Sequence, residues 1–175
     1  MVLIGVELTT ANLGELLADA RALEGVGADS LWCASGGGDP FVLLAALAAV
    51  TYRVRLVALD AKGGDAQRST LERLSRGRLV IATTALDPAA AILVASGSAE
   101  ALARAVADAK VRDEAMECWA RAPLPPSRDE WNALRASYEG AGVSGLVVPN
   151  DPRLIDILRN PDVVEDRSDI KLAFG

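Results

Sequence analysis

At 175 residues the chain is long enough to bury a substantial core, and 51% of its residues are hydrophobic although only 4% are aromatic. The net charge of −6 argues against nucleic acid as a partner, since phosphate contacts need clustered Lys and Arg. The absence of histidine excludes a Ser-His-Asp or Cys-His triad and the commonest metal ligand, and no metal site is predicted.

The N-terminal segment has no basic region followed by a long apolar stretch, so we predict no signal peptide. The longest apolar run, Phe41 to Val50, is far shorter than the ~20 residues of a membrane span. A cytoplasmic protein with no membrane partner is therefore expected. The two cysteines, Cys33 and Cys118, are far apart and form no CxxC pair, which favours two reduced, buried thiols over a disulfide.

The first half of the chain alternates β-rich and helical patterns. Strands are predicted at 2–8, 30–34, 53–59 and 78–82. Asn12 is predicted to cap a first helix whose apolar positions follow helical spacing, at Leu13, Leu16, Leu17, Ala20 and Leu23. Asp39-Pro40 begins a second helix, 41–50, and a more polar third helix at 65–75 turns Leu71 and Leu74 inward. The second helix is apolar on nearly every face, which predicts deep packing or a contact with another subunit.

The second half continues the alternation, with strands at 91–95 and 116–120 and a last one around 146–148. Ser96 or Ser98 caps the helix between the first two of these strands. Ser127 with Glu130 forms a capping box, and Asp151-Pro152 begins a short final helix. We predict one domain over 1–160, followed by a charged tail at 161–175 that is poorly ordered or docks late.

Seven βα units predict an α/β fold with parallel strands and helical crossovers. Each unit takes about 25 residues, from 175 residues divided by seven. A complete (β/α)8 barrel takes ~250 residues, or ~200 at least, so we predict a shortened TIM-like barrel. Such a sheet either closes as a smaller barrel or leaves open edges, and open edges together with the apolar second helix predict self-association as a C2 dimer.

Several stretches resemble the luciferase-like monooxygenase family of flavin- or deazaflavin-dependent barrels. They are ALEGVGADSLWCAS, DPFVLLAALAAVTYRVRL, TLERLSRGRLVIA, ILVASGSAEALARAVADA and GAGVSGLVVPNDPRLIDILR. The resemblance implies a luciferase-like (β/α) barrel, and hydride or oxygen transfer on bound FMN or a deazaflavin. The sequence departs from the family pattern after the second strand, where CASGGGD replaces an Asp-His pair, and after the fourth, where IATTAL lacks a Gly-rich turn. It also bridges residues 82–91 with far less chain than the family carries there.

In barrels of this kind, function lies at the carboxyl ends of the strands. The residues expected there are Glu7, Thr9, Cys33, Ser35, Asp60, Lys62, Thr83, Thr84, Ser96, Gly97, Ser98, Arg121, Asn150 and Asp151. Ser96-Gly97-Ser98 ahead of a helix is either a phosphate site for the cofactor or an ordinary helix cap. No catalytic residue is assigned.

For four other features, a purely structural role is an alternative to a functional one. Glu7 either points into the barrel mouth, where desolvation raises its pKa, or is a solvated carboxylate at the strand end. Asp60 and Lys62 are expected to pair on the surface, and Cys33 is expected in the core and not as a nucleophile. Trp131 and Tyr138, seven apart on one helix, are expected to form a packing stripe.

Two functions follow from these observations. The first is a reduced luciferase-like oxidoreductase that binds FMN or a deazaflavin. The second is a non-catalytic binding or assembly subunit that has lost the cofactor and pairs with itself or with a full-length relative. The departures from the family pattern favour the second, and the fold alone does not decide between them.

Overall fold

A computed structural model describes residues 1–9, 13–35, 38–85, 90–111 and 116–160. Asn12, the predicted cap of the first helix, and the predicted tail at 161–175 lie outside the described residues. Strands and helices alternate along the chain in the order β1 Leu3–Glu7, α1 Leu16–Gly25, β2 Ser30–Ala34, α2 Pro40–Val50, β3 Arg55–Leu59, α3 Asp65–Leu74, β4 Leu79–Thr83, β5 Ile92–Ser96, α4 Ala99–Val111, β6 Glu117–Arg121, α5 Arg128–Gly140, β7 Gly145–Pro149 and α6 Pro152–Arg159.

The seven strands are parallel, and each pairs with the next along the chain. The last strand returns to the first: β7 pairs with β1 from Leu3 opposite Gly145 to Glu7 opposite Pro149. The shortened (β/α) barrel predicted from the sequence is therefore confirmed, and it closes within one chain. Because each of these strands has two neighbours, the barrel presents no open strand edge, and that part of the reasoning for self-association no longer applies.

Two tryptophans fill much of the barrel interior. Trp32 on β2 and Trp119 on β6 are fully buried, and their ring centroids lie 5.2 Å apart at a tilt of 54°. Glycines make room for them: a Cβ at Gly5 would lie 2.2 Å from Trp32 Nε1, and one at Gly145 would lie 2.5 Å from the Trp119 ring. Such large inward side chains, opposed by glycines, suit the narrow interior of a seven-stranded barrel.

The amino ends of the strands carry a salt bridge. Arg55 and Glu117 form a two-pronged pair, with Arg55 Nη1 3.0 Å from Glu117 Oε2 and Nη2 3.0 Å from Oε1. Glu117 Oε2 also accepts a hydrogen bond of 2.8 Å from Trp119 Nε1. This network holds the Trp119 ring from the amino ends of the strands. In barrel enzymes this end supports stability, whereas the chemistry lies at the opposite end.

The helices cover the outside of the barrel, and a second apolar cluster lies between them and the strands. Three predicted caps are confirmed. Asp39 accepts a hydrogen bond from Phe41 N at 2.8 Å, Ser127 accepts one from Glu130 N at 3.3 Å, and Asp151 accepts one from Arg153 N at 2.9 Å. Among the described residues, no helix is long and apolar enough to cross a bilayer.

Two predicted features of the helices differ from the structure. Leu74 was expected to face inward, but it is 55% exposed, because α3 contacts the barrel through Leu71. Leu13 and Leu17 match the helical spacing, but they are 59% and 38% exposed, since α1 begins at Leu16 and turns Leu16, Ala20 and Leu23 to the core. The apolar α2 is only partly packed, and Val42 is 66% exposed.

Candidate functional site at the barrel mouth

An ion pair bridges the carboxyl ends of two strands that are not neighbours. Arg121 ends β6 and Glu7 ends β1, with β7 between them. Arg121 Nη2 donates to Glu7 Oε1 at 2.6 Å. Glu7 lies on the same side of its strand as Gly5, which faces Trp32, so its carboxylate belongs to the barrel mouth. The structure thus favours the mouth over a fully solvated strand end, and it adds the partner that the sequence did not reveal.

Asp60 organises a second polar cluster at the mouth. It follows β3 in a left-handed conformation, with φ of 49°. Its carboxylate accepts hydrogen bonds from Thr84 N at 2.9 Å, Thr84 Oγ1 at 2.9 Å and Thr83 Oγ1 at 3.3 Å. The backbone carbonyl of Asp60 accepts another from Ser35 Oγ at 3.0 Å. The expected surface pair with Lys62 is therefore wrong: the threonines that follow β4 hold this carboxylate.

The same contacts keep Asp60 ionised. Partial burial opposes the charge, but the hydrogen bonds from Thr84 and Thr83 outweigh it and lower the pKa of Asp60. The positive charge of Arg121 acts in the same direction, which links the two polar clusters electrostatically. Asp60 is thus an acceptor, and not a proton donor, near neutral pH.

The turn Ser96-Gly97-Ser98 lies beside Arg121. Ser96 is the Cα partner of Arg121 in the pairing of β5 with β6, so the two residues lie side by side at the mouth. Ser98 Oγ accepts a hydrogen bond from Ala101 N at 3.3 Å and so caps α4. Gly97 has φ of 149°, a conformation open to glycine, and its carbonyl accepts a bond from Tyr138 Oη at 3.1 Å. The helix cap expected from the sequence is present, and the pairing of Ser96 with Arg121 in the sheet is the feature that the sequence did not reveal.

Arg121 retains an unused donor. Its Nε is buried and has no hydrogen-bond acceptor among the described residues. Since an unsatisfied buried donor is costly, this atom is a candidate contact for a ligand oxygen. Ser96 is the Cα partner of Arg121, so the exposed turn begins at the strand end next to this residue, whose Nη2 binds Glu7.

The other candidate residues at the strand ends either bond to side chains or backbone elsewhere in the protein or are exposed to solvent. Asn150 Nδ2 donates to Asp19 Oδ2 at 2.7 Å, and Asp151 caps α6. Thr9 and Lys62 are exposed. Within the described ranges, no three His, Cys, Asp or Glu side chains are grouped to hold a metal ion.

Cys33 and the aromatic stripe belong to the core, as expected. Cys33 is buried on the helix side of β2, and desolvation, followed by the negative charge of Glu7, raises the pKa of its thiol to about 12. A thiol with that pKa is not a nucleophile near neutral pH. Neither Cys33 nor Cys118 forms a disulfide, and both are buried. Trp131 and Tyr138 are buried between α5 and the barrel.

The sequence could not reveal the Glu7–Arg121 pair or the Asp60–threonine cluster. Glu7 and Arg121 are 114 positions apart, and no local pattern joins them. The available signal was that Glu7 lies near the end of the first predicted strand and that Arg121 directly follows the sixth, which placed both at one end of the barrel without giving the strand order.

No protein-family model matches the sequence, and no curated protein sequence matches it significantly. Solved structures do match the fold. The coenzyme F420-dependent tetrahydromethanopterin reductase from Methanopyrus kandleri superposes with a TM-score of 0.72 at 10% identity, over 90% of this chain and 96% of that one. The 3-dehydroquinate dehydratase from Geobacillus kaustophilus HTA426 gives a TM-score of 0.35 at 11% identity, over 89% and 66% of the two chains, which is too low to inform the fold. With its seven parallel strands and alternating helices, the chain has a luciferase-like (β/α) barrel fold.

Proposed function

We propose that this protein binds a phosphate-bearing flavin or deazaflavin at the barrel mouth and acts as an oxidoreductase. The observation that carries the proposal is the juxtaposition of the exposed turn Ser96-Gly97-Ser98 with Arg121, whose Nε lacks an acceptor among the described residues. The fold supports it, because the structurally similar reductase is dependent on coenzyme F420, a deazaflavin. FMN and coenzyme F420 are therefore the cofactors to test.

The donors at the mouth fit the anionic part of such a cofactor. The turn precedes α4, a helix of 13 residues, so the positive end of the helix dipole faces the same region as Arg121. We assign the phosphate to Ser96, Gly97, Ser98 and Arg121. Glu7 and Asp60 are carboxylates at the same mouth, and Glu7 already binds Arg121 Nη2, so the phosphate is assigned to the turn, with Arg121 Nε as the donor that Glu7 does not use.

The other polar groups at the mouth fit the ring system of a flavin or deazaflavin. Glu7 and Asp60 are hydrogen-bond acceptors, suited to N–H groups on the ring edge, and Thr83 and Thr84 hold Asp60 in place. Trp32 and Trp119 occupy the interior below, so we assign the ring to the mouth and not to the barrel interior. When bound, a flavin or deazaflavin supplies the hydride-transfer chemistry. The protein's part is to bind and orient it, with Asp60 held as an ionised acceptor.

The test is a fluorescence titration with FMN, riboflavin and coenzyme F420. Riboflavin lacks the phosphate, so FMN is expected to bind more tightly. In R121Q this preference should fall by about tenfold, since a charge-assisted hydrogen bond contributes roughly 1.5 kcal/mol. R21Q is the matched control, because Arg21 is exposed on α1, away from the strand ends. Absence of binding by both FMN and coenzyme F420 at high micromolar concentration would contradict the proposal, as would equal affinities for FMN and riboflavin.

A second function is favoured by a different observation. Two fully buried tryptophans occupy the barrel interior, and α2 leaves apolar residues exposed, as on a surface that binds another protein. In this alternative, the chain is a non-catalytic binding or assembly subunit that has lost the cofactor. The same titration separates the two functions, because this alternative requires that neither FMN nor coenzyme F420 binds.

A further inference from the structure

The hydroxyl of Tyr138 binds the turn that follows β5. Tyr138 lies near the end of α5 and is buried in the cluster between the helices and the strands. Its Oη donates a hydrogen bond of 3.1 Å to the carbonyl oxygen of Gly97, 41 positions away in the chain. The packing stripe expected from the sequence needs only the ring of this residue. The hydroxyl therefore has a second effect, which acts on the backbone of the turn.

A carbonyl group that is held in this way orients the rest of its peptide unit. The described residues contain no cis peptide bond, so the peptide between Gly97 and Ser98 is trans and planar. In a trans peptide the C=O and the N–H point in opposite directions. Because the Gly97 carbonyl points to α5 in the outer layer of helices, the Ser98 N–H points away from that layer, toward the barrel mouth.

The rest of the turn leaves this N–H accessible. Ser96, Gly97 and Ser98 are all exposed, and the φ of 149° at Gly97 is one that residues with a side chain rarely adopt. Ser98 Oγ accepts the hydrogen bond from Ala101 N and so fixes the start of α4 on the other side of the same residue. Among the described residues, the Ser98 N–H has no acceptor. It is a backbone donor with a fixed direction and no partner within that part of the chain.

We propose that Tyr138 is a positioning residue for anion binding, because its hydroxyl holds the peptide after Gly97 with the Ser98 N–H directed at the ligand's phosphate. The inference rests on the proposed function, which assigns the phosphate to this turn. Tyr138 does not touch the ligand and acts only through the peptide. Without the hydroxyl, the glycine allows the peptide to rotate, and the binding-competent orientation is populated for only part of the time. The affinity for a phosphate then falls in proportion to that fraction.

The first test removes the hydroxyl alone. In fluorescence titrations, Y138F is expected to lower the preference for FMN over riboflavin about fivefold, the effect of one neutral hydrogen bond, with the affinity for riboflavin unchanged. Y52F is the matched control, since Tyr52 is the other tyrosine of the chain and is 68% exposed. A general loss of stability would weaken both ligands alike and leave their ratio unchanged. If the unmodified protein prefers FMN and Y138F keeps that preference, this inference is overturned and the proposed function stands.

The second test changes the same peptide from its other side. A Cβ at Gly97 would meet only Ala101 Cβ, at 3.7 Å, so G97A disturbs the backbone conformation and not the packing. G97A is expected to reduce the FMN preference at least as much as Y138F, whereas G25A, with nothing within 4 Å of its new Cβ, leaves it unchanged. The double variant Y138F/G97A is expected to lose no more than G97A, because both changes act on one peptide. Additive losses would overturn the inference.

The third test does not depend on a flavin. Isotope-labelled protein is titrated with inorganic phosphate at millimolar concentration and followed by NMR. The amide proton of Ser98 is expected to shift downfield in the unmodified protein and in Y52F, and by less than half as much in Y138F. This pattern without any binding of FMN or coenzyme F420 would contradict the proposed function and support the role of Tyr138. No shift at Ser98 in the unmodified protein, or an equal shift in Y138F, would overturn the inference.

Discussion

Trp32 and Trp119 share the interior of the barrel, with ring centroids 5.2 Å apart, and each packs against a glycine on a neighbouring strand. Gly145 is the direct Cα partner of Trp119, and Gly5 lies on β1, which pairs with the strand that carries Trp32. The two indoles fill much of the space that the seven-stranded barrel encloses, and the two glycines leave room for them. The packing leads to the first prediction.

Adding one methyl group at either glycine is expected to destabilise the fold. In G5A the new Cβ would lie 2.2 Å from Trp32 Nε1, and in G145A 2.5 Å from the Trp119 ring, so a tryptophan or a strand must move. We expect each variant to lose about 1–3 kcal/mol in the free energy of unfolding, measured with urea. G25A is the control, since nothing lies within 4 Å of its new Cβ. If G5A and G145A matched G25A in stability, the described interior packing would be wrong.

Glu24 is expected to stabilise the connection between α2 and β3. Its carboxylate accepts hydrogen bonds from three consecutive backbone N–H groups, those of Tyr52, Arg53 and Val54, at 2.6 to 3.1 Å. In E24A these donors lose their acceptor, and we expect a loss of about 1–2 kcal/mol in the free energy of unfolding. The exposed Glu72 provides the comparison, with E72A expected to change the stability by less than about 0.5 kcal/mol. Equal effects of the two substitutions would contradict this role.

Acid is expected to destabilise the protein partly through Glu117. Burial raises the pKa of this carboxyl, but hydrogen bonds from Arg55 and Trp119 outweigh burial, so the pKa in the folded state lies below 4.5. A lowered pKa contributes stability above the unfolded value, and this contribution is lost as the pH falls through the folded value.

Urea unfolding of the unmodified protein and E117Q from neutral pH to below pH 4.5 checks this. E117Q is expected to be less stable at neutral pH, and its stability is expected to fall less on acidification. E72Q serves as the control, with an unchanged pH dependence. A pH dependence in E117Q as steep as in the unmodified protein would contradict the assignment.

The thiol of Cys33 is expected to be unreactive while the protein is folded. Desolvation, with a further contribution from the charge of Glu7, raises its pKa to about 12, and Cys118 is buried as well. With a chromogenic disulfide reagent at mildly alkaline pH, we expect no titratable thiol in the native protein and two after unfolding. L13C introduces a thiol at a position that is 59% exposed and should react at once. Rapid reaction of a native thiol in the unmodified protein would place a cysteine at the surface.

Local signals accounted for much of the fold. The Gly and Pro positions and the caps Asp39, Ser127 and Asp151 fixed where helices begin, because capping involves residues within a few positions of one another. The continuous apolar runs indicated strands buried on both faces, as in a parallel barrel. These patterns depend on neighbours in sequence, and the number and order of the units followed from them.

Side-chain exposure on the helices was less predictable. Leu74 fits an inward position by spacing, yet only Leu71 on α3 is buried, since the rotation of a helix about its axis depends on what it packs against. The same reason applies to α2, whose uniform apolar sequence carries no information about which side faces the barrel. The exposure of Val42 was visible only once the neighbouring helices were placed.

The sequence by itself determined the α/β alternation, the seven units, the buried cysteines and the set of residues at the carboxyl ends of the strands. The tertiary structure decided that seven strands close into a barrel, that Glu7 pairs with Arg121, and that Asp60 binds Thr83 and Thr84 and not Lys62. The physical reason is that closure and these contacts join residues distant in the chain. They depend on the strand order and on how the two interior tryptophans fit against Gly5 and Gly145.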